Sequence, residues 1–230
     1  MAEIALIVGA GSGLSAALAR LFHEEGMRVA LAARHPEKLA VLCKETQARA
    51  YACDAEKTAD VDALFKALVA DIGSPDLVVY NPSYRTRGPV AELDPQEVLK
   101  SITVTCFGGF LVGQQAARLM LKAGHGSILF TGASASIKGY ARSASFAMGK
   151  FGLRGLAQSM ARELAPQNIH VAHFVIDGGI RRGDDPRANE RGPDGLLEPD
   201  AIAASYLHVH RQKRSAWTAE IELRPWVESY

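Results

Sequence analysis

A cluster of glycines near the start of the chain has the composition of a phosphate-binding turn. Gly9, Gly11 and Gly13 follow the apolar run 5–8 and precede a stretch with helical spacing. Glycine lets the backbone turn tightly and lets a pyrophosphate approach its amides, and the following helix adds unpaired N–H donors and a favourable dipole. A glycine-rich string alone is a weak signal, but its position between a strand and a helix favours a dinucleotide site. The residues predicted to contact the dinucleotide here are Gly9, Ser12, Gly13 and Leu14.

The end of the second apolar run indicates which dinucleotide the site prefers. This run ends in Ala32-Ala33-Arg34-His35. A free ribose 2′-hydroxyl is usually bound by an acidic residue at this place, whereas a 2′-phosphate requires an arginine. Because Arg34 is present and a carboxylate is missing, we predict NADP(H) as the cofactor, with NAD(H) the weaker alternative. Arg34 could also be a surface arginine before a helix, but the missing carboxylate is independent support.

Short apolar runs alternate along the chain with stretches that carry apolar residues at helical spacing. The runs lack the period-two alternation of a half-exposed sheet, which indicates burial on both faces. Alternating strands and helices predict an α/β protein, a single-domain doubly wound Rossmann fold over 1–230 with a parallel sheet of about seven strands. The expected strands are 5–8, 28–32, 48–53, 77–80, 127–130, 170–176 and 221–223.

Composition narrows the possible partners. The 230 residues are 48% hydrophobic, which suits one domain with its own core, and a net charge of +1 gives no electrostatic case for binding nucleic acid or an anionic membrane. Three scattered cysteines without Cys-x-x-Cys spacing argue against a disulfide framework and a zinc site. The short apolar N-terminus lacks a basic leader, and no apolar run approaches a transmembrane length. We therefore expect a cytoplasmic protein without a metal that binds a small-molecule substrate.

The segment Ser145-Phe146-Ala147-Met148-Gly149-Lys150 resembles the Tyr-x-x-x-Lys motif of the short-chain dehydrogenase/reductase (SDR) family. In that family the tyrosine hydroxyl gives a proton to the substrate oxygen, and the lysine holds the cofactor ribose. Phe146 keeps the ring and deletes the acid. The glycine turn also resembles the family's Gly-x-x-x-Gly-x-Gly pattern, with Ser15 in place of the third glycine. The segment 215–223 resembles the family's last strand and the residues that lead into it. The resemblance therefore covers nearly the whole chain.

The resemblance places the remaining catalytic positions. The family's serine falls on Ala133 and its asparagine on Thr105, so that only Lys150 of the catalytic set is retained. A positioned general acid typically contributes roughly a hundred- to ten-thousand-fold to the rate. Donors to a developing oxyanion contribute on a similar order. Ordinary ketone reduction therefore requires that another group replaces the lost acid.

Several side chains are candidates for that replacement. Ser134 follows the serine position by one residue, and Tyr140 lies in the loop before Phe146, so the predicted catalytic residues are Lys150, Ser134 and Tyr140. Tyr84, after the fourth strand, and Asp177, after the sixth, are further candidates. Each also has a structural interpretation, because loop tyrosines usually cover apolar surface and Asp177 precedes two glycines that favour a turn.

The resemblance implies further cofactor contacts at the ends of later strands. Asp54 resembles the family's adenine-binding aspartate, although an aspartate at a strand end can equally cap a turn. Asn81 is the one retained residue of a segment that resembles the family's Asn-Asn-Ala-Gly. The cofactor-binding residues implied here are Asp54, Ala55, Asn81, Lys150, Asp177, Gly178 and Ile180.

Two other regions bear on access to the substrate site and on association of copies of the chain. The polar, Gly- and Pro-rich stretch 178–199 predicts a mobile loop, which is either a solvated connection or a lid over the substrate site. The family often forms dimers or tetramers through long helices. The helical stretches 106–123 and 147–165 are apolar on several faces, as a homodimer or homotetramer interface requires.

These observations favour an SDR-type NADP(H)-dependent oxidoreductase of unknown substrate with an atypical active site. The alternative is a catalytically silent dinucleotide-binding sensor or partner protein, which the replacements at Thr105, Ala133 and Phe146 also allow. A third hypothesis, a non-redox member such as an epimerase or lyase, has no specific support in the sequence.

Overall fold

A sheet of seven parallel strands in the order β3-β2-β1-β4-β5-β6-β7 forms the centre of the computed structural model, which describes residues 2–228. The predicted α/β fold and its strands are confirmed, and each observed strand end lies within one residue of its expected position. The strand order reverses between β1 and β4, which in such sheets opens a crevice at the carboxyl ends. The strands are β1 (Ile4–Val8), β2 (Arg28–Ala33), β3 (Arg49–Ala52), β4 (Leu77–Tyr80), β5 (Gly126–Thr131), β6 (Ile169–Ile176) and β7 (Glu220–Leu223).

Helices cover both faces of the sheet. In β1, Ala5 and Ile7 face one apolar core while Leu6 and Val8 face the other, which explains why this run is apolar throughout. The first core packs against α1, α2 and α8, and the second against α3, α5 and α6. None of the helices within 2–228 combines the length and apolarity needed to cross a bilayer. The helices are α1 (Leu14–Glu24), α2 (Ala40–Thr46), α3 (Thr58–Asp71), α4 (Pro95–Ile102), α5 (Gly108–Ala123), α6 (Ala144–Leu164), α7 (Arg187–Arg191) and α8 (Pro199–His210).

A π-helical turn, Thr103–Phe107, joins α4 to α5 without a break. The sequence suggested a helix that begins near Cys106, whereas the observed helical path runs on from α4. The buried Tyr80 hydroxyl donates a hydrogen bond to the Val104 carbonyl within this turn. Widened turns of this kind occur frequently at functional sites. Here the turn holds Thr105, which the resemblance places at the family's asparagine position, fully buried.

The polar stretch 178–199 is more ordered than its composition suggested. Ile180 and Leu197 form a bridge, in which the Arg181 amide donates to the Leu197 carbonyl and the Leu197 amide to the Gly179 carbonyl, both at 2.9 Å. The two ends of the stretch are thereby tied together, and α7 lies between them. Leu196 and Leu197 are buried, and Leu197 attaches this stretch to the apolar core, which its mostly polar composition did not indicate.

Close packing of α6 on the π-helical turn predicts opposite effects for two glycine substitutions in one helix. In Gly149→Ala the new Cβ would lie 2.9 Å from the Thr105 Cβ, so we expect a loss of about 1–3 kcal/mol in unfolding free energy. Gly155→Ala, whose Cβ meets nothing within 4 Å, should instead stabilise by about 0.4–1 kcal/mol. Urea unfolding measures both, and equal effects would contradict the packing.

Candidate functional site

The turn after β1 is fixed by its contacts with two neighbouring strands. Gly9 adopts φ 81°, and a Cβ there would lie 2.7 Å from the Pro82 ring, so only glycine fits. The amides of Gly9 and Ala10 both donate to the Ala32 carbonyl, at 2.9 and 3.0 Å. The turn is therefore held between the ends of β2 and β4 before any ligand binds.

Ser15, which stands in place of a glycine, strengthens this arrangement. Its buried hydroxyl donates to the Gly9 carbonyl at 3.1 Å and accepts a hydrogen bond from the Asn81 amide nitrogen at 2.8 Å. The retained Asn81 thus orders the turn from the end of β4. This role was not anticipated from the sequence, because it depends on a contact between residues far apart in the chain.

The space beside this turn suits a pyrophosphate. Helix α1 begins after Gly13 without a side-chain cap and without an acidic residue in its first turn. A Cβ placed at Gly11 or Gly13 would meet nothing within 4 Å, so the backbone there is open to a ligand. Unpaired amides, a helix dipole and open space are the features that such a group requires.

The ends of β2 and β3 present the residues predicted for the adenosine half. Arg34 follows β2 directly and its side chain is exposed. Asp54 has the turn role that we considered as its alternative, since its carboxylate accepts from the Glu56 amide at 3.4 Å and lies 3.5 Å from the Lys57 Nζ. Ala55 beside it is buried. Contact of these residues with a nucleotide stays a prediction.

Lys150 is buried at the end of β5. Its side chain is 3% exposed, and its Nζ donates to the Thr131 carbonyl at 2.7 Å. Burial lowers the pKa of Lys150 to about 7. The Thr131 hydroxyl is in turn hydrogen-bonded to the buried Tyr206 hydroxyl at 2.9 Å, a contact without a sequence signal. The lysine is therefore held in place and able to change protonation state near neutral pH.

Two cationic groups lie near the Phe146 ring. The Lys150 Nζ is 5.8 Å from the centre of its ring, and the Arg85 guanidinium carbon is 4.7 Å from that centre. Arg85 also donates to the Ser143 hydroxyl at 3.1 Å. We did not identify Arg85 from the sequence, although the pair Arg85 and Arg87 after the fourth strand was a usable signal. At the position where the resemblance predicts a phenol, the protein has an aromatic ring with a guanidinium over it.

Of the further acid candidates, Tyr84 and Asp177 are committed to other partners. The Tyr84 hydroxyl donates to a Glu97 carboxylate oxygen at 2.5 Å, and this bond raises the pKa of Tyr84. The buried Asp177 carboxylate lies 2.6 Å from the Arg224 guanidinium and 3.4 Å from the Lys138 Nζ. Both groups are therefore poorly placed to give a proton to a substrate.

The two predicted hydroxyl donors occupy less constrained positions. Tyr140 is 45% exposed in the loop before α6, and its hydroxyl has no hydrogen-bond partner among residues 2–228. Ser134 begins the short 3₁₀ turn Ser134–Ser136, directly after Ala133. The geometry does not bring either hydroxyl into a hydrogen bond with Lys150, so their catalytic roles stay predictions.

A polar network that the sequence did not reveal lies on β6 and β7. The buried His173 has its Nδ1 3.1 Å from a Glu220 carboxylate oxygen, and Arg154 forms two bonds of 2.7 Å with the same carboxylate. Burial lowers the pKa of His173 to about 4, so its ring is neutral at physiological pH. Within the described part of the chain, His, Cys, Asp and Glu side chains form no group of three or more that could hold a metal.

Comparisons with known proteins agree with this geometry. The family model described as short chain dehydrogenase matches residues 3–181. A D-threitol dehydrogenase from Mycolicibacterium smegmatis is 27% identical over 217 residues, which cover 88% of this chain and 84% of that protein. A short-chain dehydrogenase structure from Rhodopseudomonas palustris is 37% identical, with a TM-score of 0.84 and coverage of 97% and 99%. A metagenomic short-chain oxidoreductase in complex with NADP is 27% identical, with a TM-score of 0.85 and coverage of 98% of both chains.

Burial of the Lys150 charge predicts a pH-dependent stability. Because the pKa falls from 10.5 to about 7 on folding, the unfolded chain binds more protons between these values, and the wild-type free energy of unfolding should rise with pH there. Lys150→Met removes the cost of burying this charge. The free energy of unfolding of the variant should therefore exceed that of the wild type most at pH 7 and below. The gain should shrink as the pH approaches 10.5.

Urea unfolding across that pH range, without added nucleotide, measures the effect. The exposed Lys66→Met on α3 is the matched control and should show no such trend. A difference between Lys150→Met and wild type that is constant with pH would contradict the buried charge.

Proposed function

The chain belongs to the short-chain dehydrogenase family, and on this premise we propose that it is an NADP(H)-dependent oxidoreductase with an atypical active site that acts on a small carbonyl or hydroxyl compound. The observation that carries the proposal is the position of Lys150. This buried lysine is anchored to the end of β5, two strands from the glycine turn at the end of β1, on the same edge of the sheet. A cofactor bound along that edge would bring its reactive end to the lysine.

The residues present fit a nicotinamide dinucleotide. The backbone from Gly9 to Leu14 would hold the pyrophosphate, and Arg34 the 2′-phosphate. The bound nicotinamide would supply or accept a hydride at the substrate carbon. Further contacts would come from Asp54, Ala55, Asn81 and Lys150, and, after β6, from the backbone of Asp177, Gly178 and Ile180.

Lys150 is the group best suited to hold the proton that carbonyl reduction consumes. A pKa of about 7 lets an amine hold a proton at neutral pH and release it readily, as an effective general acid must. Phe146 has no proton to give, while Tyr84 and Asp177 are bonded elsewhere. The Phe146 ring and the Ala133 methyl group would form an apolar wall that keeps water from the reacting oxygen.

The stretch 178–199, tied together at its base, would cover the substrate as a lid.

The exposed side chains on the π-helical turn, α5 and α6 offer an apolar surface on which two copies of the chain can associate as a homodimer or, with a second interface, a homotetramer. The exposed fractions are 44% for Phe107, 40% for Phe110, 53% for Met148 and 43% for Phe151.

Cofactor preference tests the role of Arg34. NADPH should raise the melting temperature of the wild type more than NADH at equal concentration, since a ligand bound only by the native state stabilises it. Arg34→Ala should weaken NADPH binding by roughly tenfold or more and leave NADH binding nearly unchanged. Arg118→Ala, on the exposed face of α5, is the control. Equal or stronger stabilisation of the wild type by NADH would overturn the preference.

Restoring the family's side chains tests the placement of the active site. The double variant Phe146→Tyr with Ala133→Ser should reduce carbonyl compounds with NADPH at least about tenfold faster than the wild type, because it regains an acid and an oxyanion donor. Absorbance of NADPH over a panel of aldehydes and ketones measures the rate. A double variant that binds NADPH but shows no gain would mean that the positions are misassigned. Wild-type turnover would exclude the silent alternative.

A further inference from the structure

The segment 84–88 is held across the active site by contacts with two helices. The Ser101 hydroxyl of α4 donates to the Tyr84 carbonyl at 2.8 Å, and the Ser145 hydroxyl of α6 donates to the Thr86 carbonyl at 2.9 Å. The Gly88 amide donates to the Arg142 carbonyl at 3.2 Å. Since its backbone is fastened at three points, the segment presents its side chains in fixed directions.

Arg85 is directed onto the face of Phe146. Its guanidinium carbon lies 4.7 Å from the ring centre, and one nitrogen donates to the Ser143 hydroxyl at 3.1 Å. Stacking on an aromatic face holds a guanidinium in place without using its hydrogen-bond donors. Among the residues that the structure describes, Ser143 is the one hydrogen-bond partner of this guanidinium, so its other N–H donors are available to a ligand.

The surroundings of Arg85 are positively charged and lack a counter-ion. Within residues 2–228 no carboxylate forms an ion pair with Arg85, Arg87 or Arg142, whereas Arg154 is paired with Glu220. Burial, followed by the nearby charge of Arg87, lowers the pKa of Arg85.

The first turn of α6 adds to the positive potential around Arg85. The helix has 21 residues, no acidic residue in its first turn and no side-chain cap, so the positive end of its dipole points toward the same region. Cations placed together without a carboxylate repel one another, which makes the region favourable for an incoming anion.

We propose that Arg85 binds an anionic group, a carboxylate or a phosphate, of a carbonyl substrate, and that Phe146 serves as the platform that orients its guanidinium. This inference rests on the proposed function and narrows it to acidic substrates. Phe146 stands at the position whose side chain reaches the substrate oxygen in the family, so Arg85 lies within reach of a group near the reacting carbon. A guanidinium binds either anion through paired N–H donors.

Binding of matched acidic and neutral ketones to the NADPH-loaded protein tests the proposal. The probes are 4-oxopentanoate against its methyl ester, and dihydroxyacetone phosphate against dihydroxyacetone. At least one of the two acids should raise the melting temperature, and its neutral partner should not. The acid that does so identifies a carboxylate or a phosphate as the group bound.

Variants then assign the effect to Arg85. Arg85→Gln should weaken binding of the acid by roughly tenfold or more, and Phe146→Leu by about two- to fivefold through loss of the ring face. Arg118→Gln, which removes the same charge from α5, is the control and should bind like wild type. NADPH should bind to Arg85→Gln and Arg118→Gln as it does to the wild type.

The outcomes separate this inference from the proposed function. The proposed role of Arg85 fails if NADPH binds but neither acid stabilises the loaded protein, or if Arg85→Gln binds the acid as well as wild type does. Neither result contradicts the proposed oxidoreductase function. If NADPH itself does not bind, the proposed function fails. An effect of Arg118→Gln equal to that of Arg85→Gln would indicate general charge attraction and would also overturn the proposal.

Discussion

A parallel sheet must be buried on both faces, and this constraint determines where the polar chemistry of the protein can lie. The interiors of the central strands β1, β4 and β5 are apolar because helices cover both of their faces. Polar groups that face a ligand are therefore found at the carboxyl ends of the strands. Gly9 follows β1, Asn81 follows β4, and Thr131 ends β5. These three positions follow the neighbouring strands β1, β4 and β5 and therefore lie along one edge of the sheet.

The resemblance places Phe146, Ala133 and Thr105 where the family has Tyr, Ser and Asn. On that assignment we predict a site without the phenol and the serine hydroxyl that keeps the buried lysine. The Lys150 Nζ donates to the Thr131 carbonyl, and burial lowers the pKa of this lysine. Thr105 accepts a hydrogen bond from the Tyr84 amide at 3.3 Å, and so supports the segment that carries Arg85.

Residues for a cofactor could be proposed from the sequence, and their contact with a nucleotide stays a prediction, whereas the contacts of Arg85 and its surroundings could not be proposed in this way. The glycine turn depends on residues adjacent in sequence, as does the arginine after β2, so local patterns were sufficient to indicate them. Asp54 shows the limit of this reasoning, because its two interpretations differ only in what surrounds the carboxylate. Tyr84 and Asp177 had suitable chemistry but were already bonded, to Glu97 and Arg224. The availability of a proton depends on these distant partners.

The sequence by itself determined the alternation of strands and helices and the position of the glycine turn, and it placed Phe146 where the resemblance predicts a catalytic tyrosine, because each depends on residue type and short-range spacing. Only the tertiary structure decided which groups meet. The stack of Arg85 on Phe146, the Ser15–Asn81 hydrogen bond and the pair formed by Thr131 and Tyr206 join residues from separate elements. Such contacts depend on how the helices pack on the sheet. Packing also buries Lys150, and this burial lowers the pKa of its amine.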